Sequence, residues 1–157
     1  MIGEYFKLAL ICALGGLLIT AAITDLRSRI ISNRLNVMIA VLAPLWWLSC
    51  GLPVWPGMVT QLAIGLIIFG LFAALFALGW MGGGDVKLLA ALSLWFPWQA
   101  VVSLLVLMAV LGGVVTLATV IHHRVTKRLG QPEIPYGVAI SLAALWLLGE
   151  RYFNQFA

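Results

Sequence analysis

Only five of the 157 residues are acidic, and two of them, Asp25 and Asp85, fall where an apolar stretch breaks. An ionisable group beside a hydrocarbon-like segment is costly and reads as functional by default. Two carboxyls brought to the same depth share one proton, because like charges held close do not both ionise. The ionised one can then take a proton from water while the protonated one polarises a carbonyl. That is the minimum equipment for hydrolysing a peptide bond with neither a metal nor a nucleophilic side chain. No Ser-His-Asp set competes, since His122 and His123 lie in a basic loop with no acid beside them. Cys12 and Cys50 form no C-x-x-C pair and have no His at ligand spacing, so no metal and no cofactor are expected. Taken alone, Asp25 reads as a span-end residue answering Arg27 or Arg29. Asp85 resists that reading. It follows Gly82-Gly83-Gly84, a backbone free of side chains where the chain can turn and another backbone can come close. A glycine hinge needs no Asp, and an Asp at that depth needs a partner.

The elements that must position these acids are apolar helices. Hydrophobic residues make up 64% of the chain and charged residues 9%, and the mean hydropathy is +1.13. A soluble domain carries about a quarter charged residues, so a soluble enzyme is excluded. So is a nucleic-acid-binding chain, because nine scattered Lys and Arg residues make no phosphate-tracking face despite a net charge of +4. The expected fold is all-α, a polytopic membrane protein of six transmembrane helices in one domain over residues 1–157. The apolar runs are Tyr5 to Thr24, Leu35 to Cys50, Met58 to Met81, Val86 to Phe96, Trp98 to Ile121 and Ile134 to Gly149. The first reads as a retained span rather than a cleaved signal peptide. The fourth is too short for a ~30 Å hydrocarbon core. It is expected to cross with its cytoplasmic end sunk in a thinned or wet region, which sets Asp85 in a wet cavity just before it.

Seven of the nine basic residues (Arg27, Arg29, Arg34, Lys87, Arg124, Lys127 and Arg128) fall on one side of such a six-span chain, and only Lys7 and Arg151 on the other. The positive-inside rule makes the crowded side cytoplasmic and puts both termini outside. Asp25 and Asp85 then share the cytoplasmic face.

At this point the residues resemble a family. Gly82-Gly83-Gly84-Asp85 is similar to the G-x-G-D motif of intramembrane aspartyl peptidases, in the form used by type IV prepilin peptidases. Asp25 followed by Ile31-Ser32-Asn33 resembles that family's first motif, with Ser32 where Pro is usual. Pro135-Tyr136-Gly137 resembles the segment that opens the family's last helix. The resemblance implies an aspartic endopeptidase of the bacterial inner membrane with Asp25 and Asp85 as its catalytic pair. It would remove a short basic leader, usually after a Gly, from a prepilin or pseudopilin with a hydrophobic stem. The chain lacks the paired C-x-x-C insertion of the long members and is similar in size to the short Tad/Flp-type forms, so no N-methylation is implied.

Several supporting residues carry two readings each. Lys87 either acts on Asp85 or is an ordinary topogenic charge. Asn33 and Asn36 either cap the second helix or line the cavity. Pro135-Tyr136-Gly137 either brings the Tyr hydroxyl towards the acids or is a helix start with an interfacial Tyr. Gly15, Gly16, Gly65, Gly70, Gly112 and Gly113 read as close-packing positions. The basic loop from His122 to Pro132 reads as a solvated topogenic segment that can contact substrate or anionic lipid. The rival function is a small proton- or cation-coupled transporter subunit using the same two acids. It would want carboxylates nearer the bilayer midplane and internal symmetry, and no repeat relates the two halves.

Overall fold

A computed structural model describes residues 2–125 and 134–153. Of the segment expected as a basic loop, His122 to Val125 instead continue the fifth helix, and residues 126–132 lie outside the described residues. Six helices follow one another: α1 (Ile2–Ser28), α2 (Asn33–Ser49), α3 (Val59–Ala77), α4 (Gly83–Ser93), α5 (Trp98–Val125) and α6 (Tyr136–Phe153). A short helical turn, Val54–Met58, leads into α3. Three segments are long and apolar enough to cross a membrane: Gly3–Ser28, Val54–Ala77 and Trp98–Val125. They are apolar all round, and much of their surface faces outward, as in Leu66, Ile67, Val106, Val110 and Leu117. That is the pattern of helices solvated by lipid.

The interior is built around α4 and α6. α4 packs against α2, α3 and α6, while α6 packs against α1, α4 and α5. α4 buries Asp85, Val86, Leu88, Leu89, Ala91, Leu92 and Ser93 and leaves Lys87 exposed. At 11 residues it is about 17 Å long, so both of its ends lie among other helices. A helix end surrounded by apolar groups must find partners for its free backbone groups. Side chains from two neighbouring helices supply them. The Leu94 carbonyl accepts from Trp47 Nε1 at 2.7 Å and from Gln61 Nε2 at 3.1 Å, and the Phe96 carbonyl accepts from Gln61 Nε2 at 3.0 Å. Trp95 Nε1 donates to the Ile39 carbonyl at 2.9 Å, and its ring stacks on Trp46 with centroids 5.9 Å apart.

Three helices end on a left-handed residue. α2 ends at Gly51 (φ +66°), where the Leu52 amide reaches back to the Trp47 carbonyl at 2.9 Å. α3 ends at Gly79 (φ +75°), where the Trp80 amide reaches the Leu75 carbonyl at 3.0 Å. Glycine is the usual residue there because it has no Cβ to clash. At the corresponding place after α1 stands Arg29, with φ +56° and its amide on the Asp25 carbonyl at 3.0 Å.

Boundaries differ from the sequence reading in one place that matters. α4 begins at Gly83, so Asp85 lies in its first turn rather than before it. The apolar pattern starts only at Val86, and glycine's low helix propensity hid the turn. Of the six glycines expected to pack closely, Gly65 and Gly112 do. A Cβ on Gly65 would meet Leu94 at 2.5 Å, and one on Gly112 would meet the Tyr136 ring at 3.7 Å, whereas one on Gly15 would only reach Leu145 at 4.0 Å and Gly16, Gly70 and Gly113 face open space.

The Gln61 bonds give a direct test. Gln61→Leu should lower stability in detergent by about 1–3 kcal/mol, because the Phe96 carbonyl loses its side-chain donor in an apolar setting. The unfolding midpoint of the purified variant against the wild type reads this out.

Candidate active site

The C-terminus of α1, the N-terminus of α4 and the N-terminus of α6 meet around one cleft of about 590 Å³. Its walls include both Asp25 and Asp85, together with Ser28, Arg29, Ile30, Gly79, Trp80, Met81, Gly82, Ile134 and Tyr136. The two acids are otherwise enclosed, with 5% and 9% of their surfaces exposed. The Asp25 charge acts on Asp85 across the cleft.

Asp25 is held from α6. Its Oδ2 accepts the Val138 amide at 3.1 Å, next to the Gly137 amide. These amides belong to the first turn of α6, whose N–H groups have no partner within their own helix and which carries the positive end of the helix dipole. The carboxylate of α1 thus serves as a cap for α6. The arrangement requires glycine at 137: a Cβ there would lie 2.5 Å from Ile31 Cδ1 and 2.9 Å from the Asp25 carboxyl. With Oδ2 committed, the other oxygen is the one available to a ligand in the cleft.

Asp85 is held by its own helix. It occupies the third position of α4, and its carboxyl turns back towards Gly82 at the N-cap. A Cβ on Gly82 would stand 2.9 Å from Asp85 Oδ2. Gly84 has a different task. A Cβ on it would sit 3.2 Å from Ile31 Cβ and 3.3 Å from the Ile31 carbonyl oxygen, so its bareness lets α4 start against the α1–α2 turn. Asn36, 4% exposed, ties the same place together by donating Nδ2 to the Gly84 carbonyl at 3.1 Å.

The other predicted residues divide between two places. Tyr136 lines the cleft, and Pro135 stands just before the first residue of α6. Lys87 and Asn33 do not join them. Lys87 Nζ donates to Asn33 Oδ1 at 2.8 Å, and both line a separate apolar groove between α2, α3 and α4. Lys87 follows Asp85 by two residues, which on a helix turns it to nearly the opposite face. Capping of α2 falls to neither Asn33 nor Asn36. Ser32 is the N-cap, its hydroxyl accepting the Leu35 amide at 3.3 Å. Among the cleft residues that the sequence reading did not assign to the site are Arg29, Trp80 and Met81. Arg29 stood out there only as a charge setting orientation or answering Asp25.

A sequence model of the type IV leader peptidase family matches residues 12–117. That stretch takes in both acids and the glycines before Asp85. Neither a curated protein nor a solved structure matches the chain.

The tight fit at Gly137 predicts that Gly137→Ala destabilises the protein by about 1–3 kcal/mol, the usual cost of overpacking. Gly113→Ala, in open space on α5, should instead be neutral or stabilising by up to about 1 kcal/mol. Parallel unfolding curves of the two variants decide it.

Proposed function

Starting from the fact that this chain belongs to the type IV leader peptidase family, we propose that it is an aspartic endopeptidase acting at the cytoplasmic face of the bacterial inner membrane. Its substrate is a prepilin or pseudopilin-like precursor, from which it removes the short basic leader. Asp25 and Asp85 are the catalytic pair. The observation that carries this reading is that these two acids, 60 positions apart in the sequence, line one cleft.

The chemistry follows from their arrangement. With one carboxyl ionised and one protonated, water between them gives a proton to the first as its oxygen attacks the scissile carbonyl carbon. The second donates a hydrogen bond to the carbonyl oxygen. Collapse of the tetrahedral intermediate breaks the C–N bond, and the amine leaves with the proton that the first carboxyl took from water. No metal or cofactor enters this scheme. A peptide bond inside a helix is shielded and its carbonyl already bonded, so the bond cut must lie in an extended segment. A Gly before the cut lowers the cost of unwinding there.

In this reading α2, α4 and α6 cross the bilayer with the three longer helices, and both termini lie outside. Exposed Cys50, at the end of α2, should then react with an impermeant maleimide added outside cells. With Cys50 replaced by Ser, a cysteine placed at Arg34 should react only after the membrane is opened. The reverse pattern would invert the topology and remove the cytoplasmic assignment.

The catalytic test uses purified protein in proteoliposomes with a precursor bearing a basic leader, Gly and a hydrophobic stem. Asp25→Asn and Asp85→Asn should each reduce cleavage by about a thousandfold or more, since each removes one half of a paired acid and base. Membrane accumulation should stay unchanged. The wild-type rate should fall on both the acid and the alkaline side of its optimum, because the pair works only with a single proton. Turnover close to wild type in either Asn variant would sink the assignment. Ion flux without cleavage would favour the transporter.

A further inference from the structure

The conformation of Arg29 carries information beyond the acids themselves. A side chain at φ +56° costs about 1–2 kcal/mol relative to glycine, and strain of this kind points towards function when the fold does not require the residue. The fold does not require an arginine here. Glycine closes α2 and α3 at the equivalent places, Gly51 and Gly79. A cation for the C-terminal dipole of α1 is already present in Arg27. What the position does provide is a place on the wall of the cleft beside Asp25 and Asp85. Arg29 is the one basic residue among the described residues lining it. Its charge acts on Asp25, yet no ion pair joins the two. The guanidinium is exposed and has no hydrogen-bond or ion-pair partner among the described residues.

Hydrolysis creates a need for such a group. When water adds across the peptide bond, the C–N bond breaks and the amino product leaves as an ammonium. The acyl product keeps the water oxygen as a new carboxylate. That carboxylate forms beside the two acidic side chains that line the cleft. Three carboxyls and no cation would repel one another strongly there. A planar guanidinium accepts a carboxylate through two parallel hydrogen bonds.

We propose that Arg29 forms a carboxylate-binding subsite that receives the newly made C-terminus of the released leader. This rests on the peptidase reading above. The subsite makes the leader a product inhibitor and gives the cleft a preference for a free acid over an amide at that end.

The probe is a synthetic basic peptide ending in Gly, prepared as the free acid and as the amide, competing for cleavage in proteoliposomes. For the wild type, the acid should inhibit about tenfold more tightly than the amide, the scale of a charge-assisted hydrogen-bonded pair. In Arg29→Gly that ratio should fall to about one, while Arg29→Lys should retain part of it. Because Gly suits φ +56°, Arg29→Gly should also unfold at the same temperature as wild type or higher, which separates lost recognition from lost structure. An unchanged acid-to-amide ratio in Arg29→Gly, or no preference in the wild type, would overturn the subsite while leaving the acid pair standing. Failure of the peptidase reading looks different: wild type does not cleave, or the Asp→Asn variants do.

Discussion

The bond from the Val138 amide to Asp25 Oδ2, 3.1 Å long and buried, is the interaction on which the architecture of the site depends. An acidic side chain enclosed by apolar helices is tolerable only where donors meet it. A helix N-terminus similarly needs acceptors for its free amides. Placing the end of α1 against the start of α6 satisfies both at once, and it fixes the direction of the carboxyl more tightly than a flexible lysine or arginine partner would. The two helices are far apart in the chain yet in broad contact, so the bond is supported along much of their length. It also explains why α6 opens with Pro135-Tyr136-Gly137. Proline limits the backbone entering the helix, the tyrosine faces the cleft, and glycine leaves room for the carboxyl.

The shortness of α4 is the complementary constraint. A longer helix would carry its first turn past the ends of α1 and α6 and would take Asp85 away from the cleft. An 11-residue helix keeps that turn beside the ends of α1 and α6. The far end is then stranded among apolar groups, and Trp47 and Gln61 satisfy its carbonyls from α2 and α3. Polar residues are rare in this chain, and Gln61 spends its amide on two carbonyls. The site at one end and the stitched turn at the other belong to one solution.

How much of this could be read from the sequence follows from what each signal encodes. Hydropathy marks where apolar helices run, and it located all six, with most ends close to where they lie. Scarcity of acids singled out Asp25 and Asp85 because a carboxyl in such company has few structural uses. Hydropathy is silent about glycine, so the start of α4 was set three residues late and Asp85 was placed outside its helix. Helical geometry alone turns Lys87 away from Asp85, a relation legible once α4 is known to include both. Ser32 as the cap of α2 follows from general preferences, although resemblance to a motif with proline at that position directed attention to what was missing. The sign of φ at Arg29 has no signature in composition or spacing. A charge at a span end looks the same whether it is strained or relaxed.

The three sequence motifs, read separately along the chain, are one packing unit in space, and Ile31 is where they join. It is 6% exposed and sits in the turn between α1 and α2. Its Cβ and backbone lie against Gly84 and its Cδ1 against Gly137. Any side chain on Gly84 would press on Ile31 and push the start of α4 outward, and one on Gly137 would press on the same residue from α6. A single apolar wedge therefore sets the spacing between the start of α4, which carries Asp85, and the start of α6, which holds Asp25. The glycines of the second and third motifs can be understood as shaped around this residue of the first. On this argument the spacing from Asp25 to Ile31 matters as much as the acid itself. One helical turn and a left-handed step at Arg29 bring the chain round so that Ile31 can wedge apart the starts of α4 and α6 beneath the cleft.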